Sequence, residues 1–276
     1  MPTNAAQNEY SLLKKVPVVL RARGYRLYTQ NGRRLIDLWL NGGAAILGHT
    51  PPNVLREIKN TASRGLYAPF PHFLEARYFK ALTKLFPEYS FRLYAAPPEG
   101  FETLVKNETA GLWRPFLNAA SPFLIENNSP PIIIPVLPGI QSWRNNLPLG
   151  LCVFASKYET PQSELPASDI LSPVLLAAAT RGIYDLINSQ ERGKLPFPRI
   201  LKSLKNSQWQ RQGIYLNLKE KQNLPLPKRN EEWETLFNQF LDAGFLIPPT
   251  PSQPLILPGE LSDGEEAKLA ALFSPT

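Results

Sequence analysis

The stretch "GYRLYTQNGRRLIDLWL", residues 24–40, constrains the fold more than any other part of the chain. Apolar and polar residues alternate on either side of Asn31-Gly32, the period of a strand with one buried face. Asn-Gly supplies the positive φ angles of a tight reverse turn, so a β-hairpin turning at 31–32 is expected. The chain then runs into "ILGHTPPNVLREIKNTASRG". Thr50 is placed to cap a helix, and Pro51 and Pro52 fit a first turn whose amides have no helical partner. Val54, Leu55 and Ile58 mark one helical face, and Gly65 stops it. A hairpin feeding a proline-started helix implies a mixed α/β chain.

The same reasoning carries along the sequence. A second helix fits 73–86, with Phe73, Ala76, Tyr78, Phe79, Leu82 and Leu85 apolar, and "FRLYAA" at 91–96 reads as a short strand. "GFETLVKNETAGLWRPF" is expected to be a helix broken at Pro115. Two strand-like runs follow, "PIIIPVL" at 131–137 and "LGLCVFAS" at 149–156, and Pro135 demotes the first to an edge or irregular strand. Residues 168–193 carry a long helical pattern, with Ser168 as candidate cap, Pro173 early in it and Gly193 as stop. "GIYLNLK" reads as a strand, "EEWETLFNQFLDAG" as an amphipathic helix closed by Gly244, "FLIPPT" and "PLILP" as short strands, and "SDGEEAKLAALF" as a capped last helix.

Composition narrows the function classes. Thirty basic against 23 acidic residues give +7, yet the bases are scattered in short pairs such as Lys14-Lys15, Arg33-Arg34 and Lys228-Arg229. Without a basic stripe or a stacking motif, nucleic acid is not the expected partner. One cysteine, Cys152, and two histidines, His49 and His72, exclude an internal disulfide and a Cys/His metal set. The first residues hold no apolar run of signal-peptide length and no later run approaches a membrane span, so a cytoplasmic location is expected. The 29 prolines, about twice the ordinary ~5% usage, mark many stiff connections.

The order Gly24, Asn31-Gly32, Ile36-Asp37, Leu47-Gly48-His49 and Pro51-Pro52, then "GLYAPF" and a helix, resembles the amino-terminal part of the class III aminotransferases. Those are fold-type-I pyridoxal-phosphate enzymes, and the nearest flavour is glutamate-1-semialdehyde aminomutase. "GFLIPPTPSQPLILPGELSDGEEAKLAAL" is similar to that family's small-domain finish, while "LPLG" at 147–150 and the helix after Ser168 resemble its passage from large to small domain. The resemblance implies an α/β chain with a reduced fold-type-I architecture. Its expected parts are a hairpin and helix segment over 1–72, a remnant of the large cofactor domain over 73–167, and a connecting helix with an α+β small domain over 168–276. Family members are markedly longer, and the deficit falls in the cofactor domain, where most of the parallel sheet has no room.

The resemblance also says where the chemistry would sit. The Schiff-base lysine precedes "PLG", which matches Gln141 here, and no lysine occurs from 107 to 156. Lys157 follows the presumed strand and reads as a surface lysine. The pyridinium partner is an aspartate on a central strand, but no aspartate occurs between Asp37 and Asp169, and Glu126 is the substitute of the right character. The phosphate loop of small hydroxyl residues corresponds to Glu99, Gly100, Phe101 and Glu102. A carboxylate beside a phosphate repels it by about 4 kcal/mol per charge pair at ~4 Å and an effective dielectric near 20.

Three requirements therefore fail together, and the expected protein is a degenerate aminotransferase-like chain with no cofactor, no catalytic residue and no metal. Since family members are dimers, it is expected to act through subunit contacts, as a homodimer or beside a complete aminotransferase relative. The alternative is an enzyme or small-molecule binder that keeps the old pocket, holding pyridoxal phosphate non-covalently or using Glu99, Glu102 and His72 for acid–base chemistry. Against it, acids in a first helical turn are ordinary dipole compensation. His72 reads as a packed or surface residue among aromatics, and His49 as a turn residue.

Overall fold

A computed structural model of the chain describes residues 11–126, 128–138, 151–157, 165–219 and 226–274. In chain order the first elements are β1 (Val19–Arg23), β2 (Arg26–Thr29), β3 (Arg34–Asp37), α1 (Pro52–Ala62), α2 (Leu74–Leu85), β4 (Tyr89–Tyr94), α3 (Phe101–Lys106), β5 (Ala110–Trp113), β6 (Ile132–Pro135) and β7 (Cys152–Lys157). They are followed by α4 (Pro173–Ile187), α5 (Pro198–Leu204), β8 (Trp209–Gln212), β9 (Tyr215–Leu218), α6 (Leu226–Asp242), β10 (Phe245–Leu246), β11 (Leu255–Ile256) and α7 (Asp263–Phe273). Among the described residues no helix is long and apolar enough to cross a membrane.

The chain divides into two compact units, one formed by residues up to Thr50 together with those from Arg192 onward, the other by Pro51–Glu191. This division falls elsewhere than the segments 1–72, 73–167 and 168–276. The hairpin goes with the carboxy-terminal part because β10 adds to it as a parallel strand, with Ile36 N donating to Gly244 O at 2.9 Å and Leu38 N to Leu246 O at 2.8 Å. The helix α4 stays with the middle of the chain because it packs against α1 and α2.

In the first unit one sheet has the order β1-β2-β3-β10 and a second the order β11-β9-β8. The hairpin β2–β3 forms as expected, but its loop is Gln30-Asn31-Gly32, closed by Thr29 N donating to Arg33 O at 3.0 Å. Of the three, Gly32 alone takes the left-handed conformation, at φ +77°, while Asn31 Oδ1 accepts from Thr29 Oγ1 at 2.6 Å. Two hairpins were not foreseen. β1 pairs with β2 across Gly24, and β8 with β9 across Gly213.

The core of this unit is aromatic, with Trp209 edge-on to Phe273, Phe240 and Trp233 at 5.6, 6.2 and 6.4 Å. The last helix is capped as its sequence suggests. Ser262 Oγ accepts from Glu265 N at 3.3 Å, and Glu265 Oε2 accepts from Ser262 N at 2.8 Å. Glu266, buried one residue on, accepts from Arg199 N at 2.7 Å and so satisfies an amide in the first turn of α5.

In the second unit the sheet order is β4-β7-β6-β5, with β5 and β6 parallel and β7 antiparallel to both its neighbours. Three expectations change here. The helix read through Pro115 is instead the short α3 followed by β5, the reversal being made at Glu108, whose φ is +57°. β6 is an interior strand, and Pro135 is tolerated because it is the last residue, after which Val136 N donates to Trp113 O at 2.8 Å. Ser168 caps no helix: α4 begins at Pro173 after Ser172, and Ser168 Oγ accepts from Leu93 N at 3.1 Å.

That last contact belongs to a device that closes the outer edge of β4. Asp169 N donates to Leu93 O at 2.8 Å and Asp169 Oδ2 accepts from Ala95 N at 2.9 Å. The segment thus pairs with β4 through backbone and side chains, blunting an edge that would otherwise offer free amides. Both sheet faces are covered with rings. Phe154 is met edge-on by Tyr94 at 5.5 Å and by Phe101 of α3 at 5.7 Å, while Phe86 packs edge-on to Trp113 at 4.8 Å.

Two arginines of the hairpin, Arg26 and Arg34, pair with Glu265 of the last helix. Arg26 grips Glu265 with Nε at 3.1 Å and Nη2 at 2.7 Å, a fork that fits both carboxylate oxygens. Burial opposes ionisation of Glu265 and is the largest single influence, but the hydrogen bonds and charge of Arg26 and the capping bonds from Ser262 together exceed it and hold the carboxyl down at about 2. Because the folded value lies below the unfolded ~4.3, this contribution is complete above that pH and is lost as pH falls through about 2. Thermal unfolding followed by circular dichroism in acid should give a shallower pH slope for Glu265→Gln than for the parent chain over this window. Equal slopes would remove the pair from the acid response.

Candidate functional site

The strand–turn–helix corner at β4–α3 is where the resemblance places a phosphate. The frame is present, with β4 ending at Tyr94 and α3 starting after Gly100, whose φ of +81° makes the sharp entry. The donors are otherwise engaged. Phe101 N donates to Pro98 O at 3.2 Å, and Thr103 N and Leu104 N to Gly100 O at 2.9 and 3.2 Å. The Phe101 ring turns onto Phe154 and packs with the cluster of Tyr94, Ala110, Ile132 and Ile134. Glu99 and Glu102 are exposed. An anion cup needs free amides and small hydroxyls converging on one point, and the residues of this corner do not fit a phosphate.

The other expected positions scatter. Gln141 lies outside the described residues, as do 147–150. Lys157 is the last residue of β7, half-buried, with its amide donating to Pro131 O at 3.1 Å. Glu126 is exposed in the loop before β6, where its carbonyl accepts from Ser129 N at 2.9 Å. That puts it off any strand and near the amino-terminal end of β6, whereas ligands of open α/β sheets sit at the carboxyl ends of strands. His72 Nδ1 accepts from Leu74 N at 3.3 Å, and its ring lies 4.3 Å from that of Phe73, so it serves the start of α2. No hydrogen bond among the described residues joins Glu99, Glu102 and His72.

The signature residues converge in the other unit. Asp37, 2% exposed, ends β3, and its amide donates to Tyr25 O at 2.9 Å. Its Oδ1 accepts from Trp39 N at 2.8 Å and Leu40 N at 2.9 Å, and its Oδ2 lies 2.8 Å from His49 Nε2. Leu40, Asn41, Gly42 and Gly43 follow with φ of 49, 51, 68 and 111°. Such a left-handed run costs a fully buried leucine on the order of 1–3 kcal/mol, and the two bonds to Asp37 hold it in place. Gly48 then meets Gly24 backbone to backbone: a Cβ on Gly48 would lie 3.1 Å from Gly24 O, and His49 N donates to that same oxygen at 2.8 Å. Gly24, Asp37, Gly48 and His49 thus form a clamp that fastens the chain leaving the hairpin.

No family model matches the chain. It is similar to an uncharacterized protein of Treponema pallidum, 25% identical over 90% of this chain and 91% of that one. A 69-residue stretch is 36% identical to glutamate-1-semialdehyde 2,1-aminomutase of Sorangium cellulosum, covering 25% of this chain but 16% of that protein, which is therefore the longer of the two. Among solved structures it is similar to Plasmodium falciparum ornithine delta-aminotransferase, with a TM-score of 0.65, 12% identity and an alignment spanning 98% of this chain and 97% of that one. The chain has the fold of the pyridoxal-phosphate fold-type-I, class III aminotransferases.

The clamp predicts a ranking of glycine substitutions. Gly65 also has positive φ, +75°, but nothing lies within 4 Å of its would-be Cβ, so Gly65→Ala should cost about 1 kcal/mol, the left-handed penalty alone. Gly48→Ala adds the backbone collision with Gly24 and should cost about 3 kcal/mol. Urea denaturation of the two variants tests this, and equal midpoints would mean that the Gly24–Gly48 contact gives way without cost.

Proposed function

We propose that this protein is an aminotransferase-fold chain that does not transaminate and acts by binding, either to a second copy or to a catalytically complete aminotransferase relative. The observation that carries the reading is Phe101. The residue at the head of the old phosphate helix is a ring packed on Phe154 with its amide bonded to Pro98, so the corner serves the core instead of an anion. The lysine-free run from 107 to 156 agrees with it.

Exposed apolar side chains support the binding half. In one unit Val18 and Leu20 are 63% and 68% exposed, on or next to β1, which is the edge strand of its sheet. In the other, Tyr67, Phe70 and Phe73 of "GLYAPFPHF" are 67%, 51% and 55% exposed. Rings in a proline-stiffened segment lose little entropy on contact, and large exposed apolar groups in series mark interaction surfaces.

Two measurements test the reading. Light scattering should give the mass of a dimer, or co-purification should yield a constant aminotransferase companion; a monomer without a companion would end the assembly proposal. Adding pyridoxal phosphate and borohydride should leave no adduct on residues 107–156. Gln141→Lys should still show no turnover above free pyridoxal phosphate, since the loss of phosphate and ring-nitrogen stabilisation costs ~3–4 kcal/mol per group, or two to three orders of magnitude each. Clear turnover in that single variant would overturn the degenerate reading.

A further inference from the structure

Arg192 stands in the short helical turn Gln190–Gly193 that opens the carboxy-terminal part of the first unit. Its guanidinium is held from two sides: it donates to Leu257 O, and it hydrogen-bonds Tyr25, whose ring lies 5.5 Å from its central carbon. The Tyr25 hydroxyl itself donates to Ile46 O at 3.2 Å. Its oxygen is pinned there because Gly259 has no side chain: a Cβ on Gly259 would lie 2.5 Å from it. The hairpin, the turn ending at Ile46 and the strand β11 therefore meet around one arginine.

The charges around it do not balance. Among the described residues the titratable groups that act on Arg192 are two phenols, Tyr25 and Tyr215, and burial pushes its proton affinity down. Arginine nonetheless keeps its charge at neutral pH. Carbonyl and phenol dipoles solvate a cation but do not neutralise it, and a buried charge without a counter-charge is costly. In addition, Nε is shut off from solvent and has no acceptor among the described residues. This Nε edge of a guanidinium is one that grips two oxygens of a carboxylate or phosphate side by side. A mere strut between Leu257 O and Tyr25 would need neither the permanent charge nor that edge. The residue as a whole is half-buried, so it is not sealed within the core.

We propose that Arg192 and Tyr25 form a binding site for a small oxyanion, a carboxylate or phosphate, which supplies the missing counter-charge and the acceptor for Nε. The site lies wholly within the first unit, apart from the β4–α3 corner, and stands or falls independently of whether the chain assembles or transaminates.

The test uses the full chain at constant ionic strength, with chloride exchanged for sodium phosphate in one series and sodium succinate in the other, read by thermal shift and calorimetric titration. Saturable binding is expected for one of the two anions, raising Tm by about 3 °C at ten times Kd, and which anion does so identifies the ligand as phosphate or carboxylate. Arg192→Met should abolish the shift, while Arg21→Gln, an exposed arginine on β1, should keep it. Should the methionine variant fail to fold, Arg192→Lys keeps the charge but not the fork and should bind at least about tenfold more weakly. Equal responses of the parent chain and Arg192→Met, unchanged affinity in Arg192→Lys, or no saturable binding of either anion would each overturn the site.

Discussion

The carboxylate of Asp37 is the interaction on which the first unit depends. It is buried at the end of β3 and joined to two backbone amides and the His49 ring, so its cost of desolvation is met by partners on three sides. The amides are those of Trp39 and Leu40, the residues that lead into the left-handed run. Without the Asp37 oxygen that accepts from them the run would relax toward ordinary backbone angles, and the chain would leave β3 in another direction. The close pass of Gly48 over Gly24 then has no alternative side chain, because a Cβ on Gly48 would strike backbone atoms that cannot move aside as a flexible side chain would. The residues by which the chain resembles the aminotransferases are thus explained by backbone geometry alone. They say how the chain leaves its hairpin and nothing about transfer of an amino group.

The turn into α3 rests on backbone geometry in the same way. The corner between β4 and α3 needs one glycine at positive φ and apolar residues that fill the face of the sheet. It does not need hydroxyls, and Phe101 contributes more burial there than a serine could. A ring at the head of α3 makes this corner dry and stable without a ligand. Such packing speaks for the fold and not for an activity, which is why a site must be judged by the groups that converge on it.

Legibility in the sequence followed the locality of the signal. The hairpin β2–β3, the helices α1, α2 and α7 and the strands β7, β9, β10 and β11 could be read because each carries its own period, turn or cap. The Ser262–Glu265 box is the clearest case, since both halves of the interaction lie within one helical turn. What could not be read depends on partners far away in sequence. Ser168 resembles a cap by type, but its acceptor role is toward Leu93, 75 residues earlier. β5 was hidden in a helical pattern because "AGLW" acquires its strand character from lying beside β6. Arg192 sits in "SQERGK", which reads as the end of a long helix, and only the packing of Tyr25 and Leu257 around it reveals a cation held by distant partners.

A four-stranded sheet of mixed direction has two edges, and each presents amides that need a partner. At β4 the solution is a short extended segment, 168–169, in which the serine hydroxyl and the aspartate carboxylate accept from β4 amides as strand carbonyls would. Such a cover satisfies the amides without offering a fresh strand edge of its own, because side-chain oxygens accept but do not continue a ladder. Asp169 is also the first aspartate after Asp37, so the carboxylate that could be mistaken for a displaced cofactor partner is accounted for by an amide of β4's flank. The two aspartates that bracket the long aspartate-free stretch therefore do the same physical work. Each accepts from backbone amides where regular structure ends, and each fixes the path of the chain at a place where the ladder alone could not.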